Sequence, residues 1–440
     1  MFSFLKRQSP VRIIALGFLA TILLGSILLS LPFCLKEGVT LRYIDALYTS
    51  TSAVCVTGLV SVDAGSTFTP VGQTILALLI QIGGLGVSTI GAGIILAVGK
   101  KMNLKGLNVI KEGSNLNSRK GLKGFVKDIF ITTLIIELVG AILSFIVFIQ
   151  DMDFITALGV SIFHSIASFN NSGFDVLGGV NATNKGLSLI PYQNNVLLNL
   201  TTSGLIILGG IGFLVIRDLI NNKFKWKKLS MHTKVVLVMS GILLVSGTLL
   251  LKLSEGDNIS WLGAFFFSVS ARTAGFSTYA LNSFSYAGLL VLIILMFIGA
   301  SPGSTGGGIK TTTFFALLQG IKSSATNKSE KAFHYSMPKD AFRKASVITI
   351  LGVFIVLAST LIISILEPHL RFIDVLLETT SAFGTVGLST GITGGLSVGS
   401  KLISILTMYV GRLGPLTIAS LWNFSNRETF SYPQGNISIG

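Results

Sequence analysis

The sequence predicts an all-α integral membrane protein in which four fused helix–re-entrant pore loop–helix repeats place eight transmembrane helices around a central pore. Three observations predict it. The composition is too apolar for a soluble chain, eight long apolar segments punctuate it, and between the members of each pair lies a short apolar stretch running into a glycine-bearing turn.

Half of the 440 residues are hydrophobic, only 12% are charged, and the mean hydropathy is +0.76. Soluble domains carry roughly twice that share of charge, so lipid is the expected solvent. The net charge of +15 would suit nucleic acid, but its distribution excludes that partner. Of the 33 Lys and Arg residues, 24 fall in the N-terminal end, the loops 99–127, 217–234 and 319–344, and the C-terminal tail. This is the positive-inside pattern, which places those loops and both termini in the cytoplasm of a multi-pass protein, expected in the cell's inner (plasma) membrane. The same loops offer contacts to anionic membrane lipid. Cys34 and Cys55 show no metal-ligand spacing and imply neither zinc nor a disulfide framework.

A bilayer core of ~30 Å takes about 20 helical residues. The segments 11–31, 71–98, 125–149, 196–220, 235–253, 286–318, 345–366 and 401–422 meet this loosely. The first is too long for a signal-peptide core and reads as a retained span. Paired, they define repeats over 11–99, 122–221, 232–320 and 341–422, with a cytoplasmic tail over 423–440. Inside the pairs lie the short stretches 43–54, 154–169, 259–271 and 372–383, of re-entrant length.

Each short stretch ends in a similar turn. These are Val54-Cys55-Val56-Thr57-Gly58, Phe169-Asn170-Asn171-Ser172-Gly173, Ala271-Arg272-Thr273-Ala274-Gly275 and Phe383-Gly384-Thr385-Val386-Gly387. The four glycines are 115, 102 and 112 residues apart, and each precedes Leu or Phe. Irregular backbone at membrane depth must be buried in protein or line a wet cavity. Four such turns converge only about a common axis, where their carbonyls can replace an ion's water while the half-helices aim their negative ends inward. None of the turns contains a carboxylate, which favours a monovalent cation over calcium.

Two further segments complete the pattern. Residues 299–310 read Gly299-Ala300-Ser301-Pro302-Gly303-Ser304-Thr305-Gly306-Gly307-Gly308-Ile309-Lys310. Helix there costs about 1 kcal/mol per glycine and ~3 for proline, so the third repeat's second helix should break and enter the cavity beneath the turns. The segment lacks the spacing of a phosphate-binding loop. The second segment, Tyr409-Val410-Gly411-Arg412-Leu413-Gly414-Pro415-Leu416-Thr417, carries a charge within an apolar helix.

On these turns and segments the chain resembles the Trk/Ktr/HKT superfamily of potassium and sodium transporters, specifically the membrane subunit of bacterial Ktr-type potassium uptake systems. The resemblance implies a reduced potassium-channel filter. Its backbone would come from Val56, Thr57, Gly58, Asn171, Ser172, Gly173, Thr273, Ala274, Gly275, Thr385, Val386 and Gly387. Potassium is the implied ion, with sodium a second candidate as a carried or required ion. It also implies a homodimer and a cytosolic regulatory ring of nucleotide-binding subunits. Some plant members of the family it resembles, those that prefer sodium, have serine where Gly58 stands here.

The segment 299–310 then reads as a mobile gate, with Gly299, Ala300, Ser301, Gly303, Ser304, Thr305, Gly306, Gly307, Gly308 and Lys310 as its working residues. Arg412 reads as a fixed charge below the filter, or alternatively as half of an ion pair with Glu137 or Glu378. Arg272 reads as a brace behind the third turn, with Glu378 or Asp374 as possible partners. Lys310 either snorkels to the cytoplasmic surface or reports gate position. His164 reads as a satisfied buried histidine, and Asn170 and Asn171 as side chains serving the backbone of their turn. No nucleophile–base pair or carboxylate pair gives an enzyme a seat. The competing reading is a secondary cation transporter with alternating access, which also uses repeats and broken helices.

Overall fold

The computed structural model describes residues 8–97, 104–113, 122–180 and 188–420. The expected tail over 423–440 and the end of the last repeat lie outside the described residues, as does much of the first basic loop.

Each repeat opens with an outer helix: α1 (Pro10–Leu29), α7 (Leu122–Phe148), α11 (Met231–Glu255) and α15 (Ala341–Leu366). These four are long and apolar enough to cross a membrane unaided. Their large side chains point outward: Leu134, Leu253 and Ile350 are 68%, 79% and 67% exposed. Hydroxyls such as Ser50, Ser165, Ser268 and Thr379 are buried instead. That inverted distribution suits lipid outside and a polar axis within.

The half-helices follow: α2 (Tyr43–Cys55), α8 (Phe154–Phe169), α12 (Trp261–Ser270) and α16 (Phe372–Gly384). Asp153 and Ser260 cap two of them through the amides of Thr156 and Gly263, at 3.1 and 3.0 Å. The other two begin at Arg42 and Arg371, paired with Asp45 and Asp374 one turn on, at 2.8 and 2.7 Å.

The second helices all start on a side-chain cap, from Thr69, Asn195, Ser285 or Ser397. Here the structure corrects the sequence. Segments 71–98, 196–220 and 401–422 are not continuous helices. They divide into α4 (Pro70–Leu85) and α5 (Val87–Ala97), α9 (Val196–Ile211) and α10 (Phe213–Asn221), and α17 (Val398–Leu413) and α18 (Pro415–Ser420). The breaks fall on Gly86, Gly212 and Gly414, whose φ angles of 85°, 93° and 90° only glycine adopts readily. The first two pairs bend by 96° and 93°, and each passes as one span only when joined. The third repeat breaks where expected: α13 (Tyr286–Phe297) is separated from α14 (Thr311–Thr326) by irregular backbone. A short four-residue helix, α3 (Ala64–Thr67), and a helix within the first basic loop, α6 (Leu104–Gly113), complete the described α-helices.

Candidate ion pathway

The four half-helices end in one conformation. Val56, Asn171, Thr273 and Thr385 occupy equivalent places in their turns, and all are left-handed, with φ of 57°, 58°, 74° and 50°. Two residues later come Gly58, Gly173, Gly275 and Gly387, with φ between 68° and 98°. Left-handed residues with a Cβ are costly, so four at the same place mark a backbone shape imposed by its surroundings. In the first and fourth repeats that shape is pinned by a serine: the Ser52 and Ser381 hydroxyls accept the Gly58 and Gly387 amides at 3.0 and 2.9 Å.

The turns meet. A Cβ added to Gly58 would fall against the Ser172 carbonyl, one on Gly173 against Ala274, one on Gly275 against Val386, and one on Gly387 against Thr57, all within 2.2 to 2.7 Å. Each glycine therefore abuts the turn of the next repeat, and the fourth returns to the first. The result is a closed ring of backbone with no room for a side chain at any of its four glycines. On one side the ring glycines all line a cavity of about 380 Å3, together with Asp63, Asp175, Ser277 and Ser389.

Beneath the ring lies the segment 299–310. Its ends are joined by a bridge between Ile298 and Ile309. Gly307 donates to the Thr385 hydroxyl at 2.9 Å, and Gly306 packs so closely on Thr273 that a Cβ would collide with it. The Ser301 and Thr305 amides donate to the Gly210 and Gly209 carbonyls at 3.0 and 3.3 Å, and Gly303 accepts from Phe213 at 3.0 Å. Ser301 also bonds Thr311 at 3.0 Å, and Ala300 is fully buried. A second cavity of about 180 Å3 lies against Gly303, Ser304, Gly306, Gly308, Lys310 and Arg412.

Arg412 is not in an ion pair with Glu137 or Glu378. It donates to the Thr305 carbonyl in the loop and to the Gly83 and Gly84 carbonyls of α4, and its guanidinium lies over the Phe18 ring at 5.9 Å. Glu137 instead meets Asn170 at 3.1 Å, and Glu378 accepts from Ser389 and Thr393 at 2.7 and 2.5 Å. Arg272 likewise reaches no carboxylate. It donates to the Gly299 carbonyl at 3.4 Å, while Asp374 is held by Arg371. The Lys310 ammonium folds back on the Gly306 and Gly307 carbonyls at 2.7 and 3.3 Å rather than reaching a surface. His164 is buried and satisfied by Thr202 at 2.9 Å, with its ring against Phe148 and Phe276.

Sequence reasoning missed a second glycine register. Gly83, Gly209 and Gly411 each lie against a carbonyl from the last two residues of a half-helix, that of Val54, Phe169 or Phe383, with no space for a methyl group. The signal was present as Gly83-Gly84-Leu85-Gly86, Gly209-Gly210-Ile211-Gly212 and Gly411-Arg412-Leu413-Gly414. Aligned so, Arg412 stands where the first two repeats have Gly84 and Gly210. Also missed was the buried pair of Lys401 and Asp45, 2.7 Å apart, which ties the fourth repeat to the first.

The family model for TrkH, described as "Cation transport protein", matches residues 13–426. The chain belongs to the TrkH family of cation transport proteins. Membership in this family of transporters makes it no enzyme. Among its TrkH-family relatives, the "Potassium/sodium uptake protein NtpJ" of Enterococcus hirae is 36% identical over 99% of this chain and 98% of the relative. The "Ktr system potassium uptake protein B" of Bacillus subtilis is 35% identical, over 99% and 97%. The solved structure of the potassium transporter TrkH from Vibrio parahaemolyticus superposes with a TM-score of 0.73 at 18% identity, covering 95% of this chain and 86% of that one. The TrkH fold and the membrane setting follow.

Proposed function

We propose that this protein carries potassium into the cell through the ring of Gly58, Gly173, Gly275 and Gly387, which acts as a reduced selectivity filter. Eight membrane crossings in four repeats surround it, with both termini and the basic loops in the cytoplasm. The closed ring is the observation that carries this reading. Four glycine turns abutting in repeat order present only backbone to a passing ion, and carbonyls are the groups that replace the water shell of potassium. The names of the Enterococcus and Bacillus relatives support potassium, with sodium as a second ion.

The loop 299–310 is the gate. It fills the space directly under Thr273 and Thr385, and Arg412 fastens it to α4. An element so placed must move for an ion to pass. The Ktr naming of the relatives supports a separate regulatory subunit; in this reading that subunit is cytosolic and biases the loop, and the chain works as a homodimer. One axis shared by four similarly oriented repeats supports a gated pore over alternating access between two halves. The test is rubidium and potassium uptake into a transport-deficient cell. The wild-type chain restores uptake, and Gly275→Asp abolishes it while reaching the membrane in normal amount. Equal uptake by both chains would overturn the filter reading.

A further inference from the structure

The geometry points to a lipid site behind the loop: we propose that an acyl chain of an anionic phospholipid occupies the apolar pocket between α13, α14, α15 and α16. The pocket holds about 350 Å3, and of its lining residues only Thr349 and Thr380 carry polar side chains. The Thr349 hydroxyl is already given to the Ala345 carbonyl at 2.9 Å. Its mouth faces outward, because Ile294, Val353 and Leu357 on its wall are 53%, 41% and 55% exposed. Lipid tails are the solvent at that depth, and an unfilled void there forfeits the contacts that drive packing in a bilayer. Charge selects the headgroup. Two of the helices framing the pocket, α14 and α15, run toward exposed Lys322 and Arg343, beside Lys344, on the side of the basic loops. Such clusters draw anionic headgroups.

The inner wall of the pocket is the base of the loop. Ile298 and Ile309, the residues bridged at its two ends, both line it. So does Phe297, stacked at 5.8 Å on Phe383, the first residue of the fourth turn. A chain seated there packs on the hinge of the loop, so membrane composition bears on the loop's position.

The test is photolabelling of the full chain in vesicles of phosphatidylethanolamine and phosphatidylglycerol containing a trace of phosphatidylglycerol with a diazirine-bearing acyl chain. Adducts should concentrate on 349–357 and 309–317, above the level around Leu134 on the lipid-facing side of α7. Leu357→Trp, which fills the mouth, should lower that labelling about tenfold; Val353→Phe serves if the first variant folds poorly. A phosphatidylcholine carrier of the same diazirine should label less. Labelling equal to that around Leu134, or undiminished in both variants, would overturn the proposal. So would efficient disulfide formation between two copies of Leu357→Cys in the membrane, which would give the pocket to a second copy of the chain.

Discussion

Gly58→Ser tests the ring most directly. Gly58 has φ of 86°, and its Cβ would stand 2.2 Å from the Ser172 carbonyl oxygen. The left-handed conformation alone costs a residue with a Cβ ~1–2 kcal/mol. Optimal separation for such atoms is about 3.5 Å, so the two repeats must part by roughly 1 Å. The obstructing atom belongs to the backbone of the next turn and cannot rotate aside. Taking ~2 kcal/mol as a lower bound, the undistorted ring becomes about thirtyfold rarer, at 1.4 kcal/mol per factor of ten. A carbonyl displaced that far no longer replaces a water of a bare potassium ion. Rubidium uptake should fall at least about thirtyfold at equal membrane abundance, and sodium flux should rise relative to potassium. Gly241→Ala is the matched control, because nothing lies within 4 Å of its added Cβ. Wild-type uptake with an unchanged potassium-to-sodium ratio in Gly58→Ser would refute the argument.

Two further substitutions probe what surrounds the ring. Arg412→Ala removes the donors that hold Thr305 to α4; each charged hydrogen bond contributes ~1.5–3 kcal/mol. Flux should therefore rise about tenfold with weakened control by the cytosolic subunit, and unaltered, fully regulated uptake would count against the loop as gate. Lys401→Met strands Asp45, 4% exposed, with only the largely exposed Arg42 as partner. Breaking a buried pair costs ~3–5 kcal/mol, with the low end expected here. The thermal midpoint in detergent should drop and recover in part in the double variant Asp45→Asn with Lys401→Met; an unchanged midpoint in the single variant would show that the pair does not hold the fourth repeat to the first.

The turns were legible in the sequence because a glycine closing a short apolar stretch, followed by Leu or Phe, repeats four times at similar spacing, a coincidence packing alone does not generate. The loop was legible because so many glycines and a proline oppose helix. The bends at Gly86, Gly212 and Gly414 were not, since hydropathy reads through glycine and a bent pair keeps the composition of a straight span. The partners of Arg412 and Arg272 were hidden for a different reason. Both arginines bond to backbone carbonyls, and an acceptor that every residue possesses leaves no trace in sequence. Searching for carboxylates therefore led to Glu137, Glu378 and Asp374, each of which is already engaged. Lys401 and Asp45 lie 356 positions apart, and only closure of the repeats into a circle brings them together.

The same circle explains why a single broken helix can serve as the gate proposed here. The loop hangs from the third repeat, yet its amides are taken by Gly209 and Gly210 of the second repeat and by Thr385 of the fourth. Through Arg412 its Thr305 carbonyl is tied to Gly83 of the first. Every second helix thus reaches the loop, directly or through one guanidinium. Those contacts cluster near the glycine bends, where half-helix carbonyls also lie against Gly83, Gly209 and Gly411. A shift of α5, α10 or α18 on the basic side cannot be absorbed by side-chain rotation at these positions, because backbone meets backbone there. It would bear on the loop and on the half-helices alike. A regulator gripping those short helices would in this reading bear on the proposed gate and on the ends of the half-helices together, so ion choice and ion throughput share the same packed backbone.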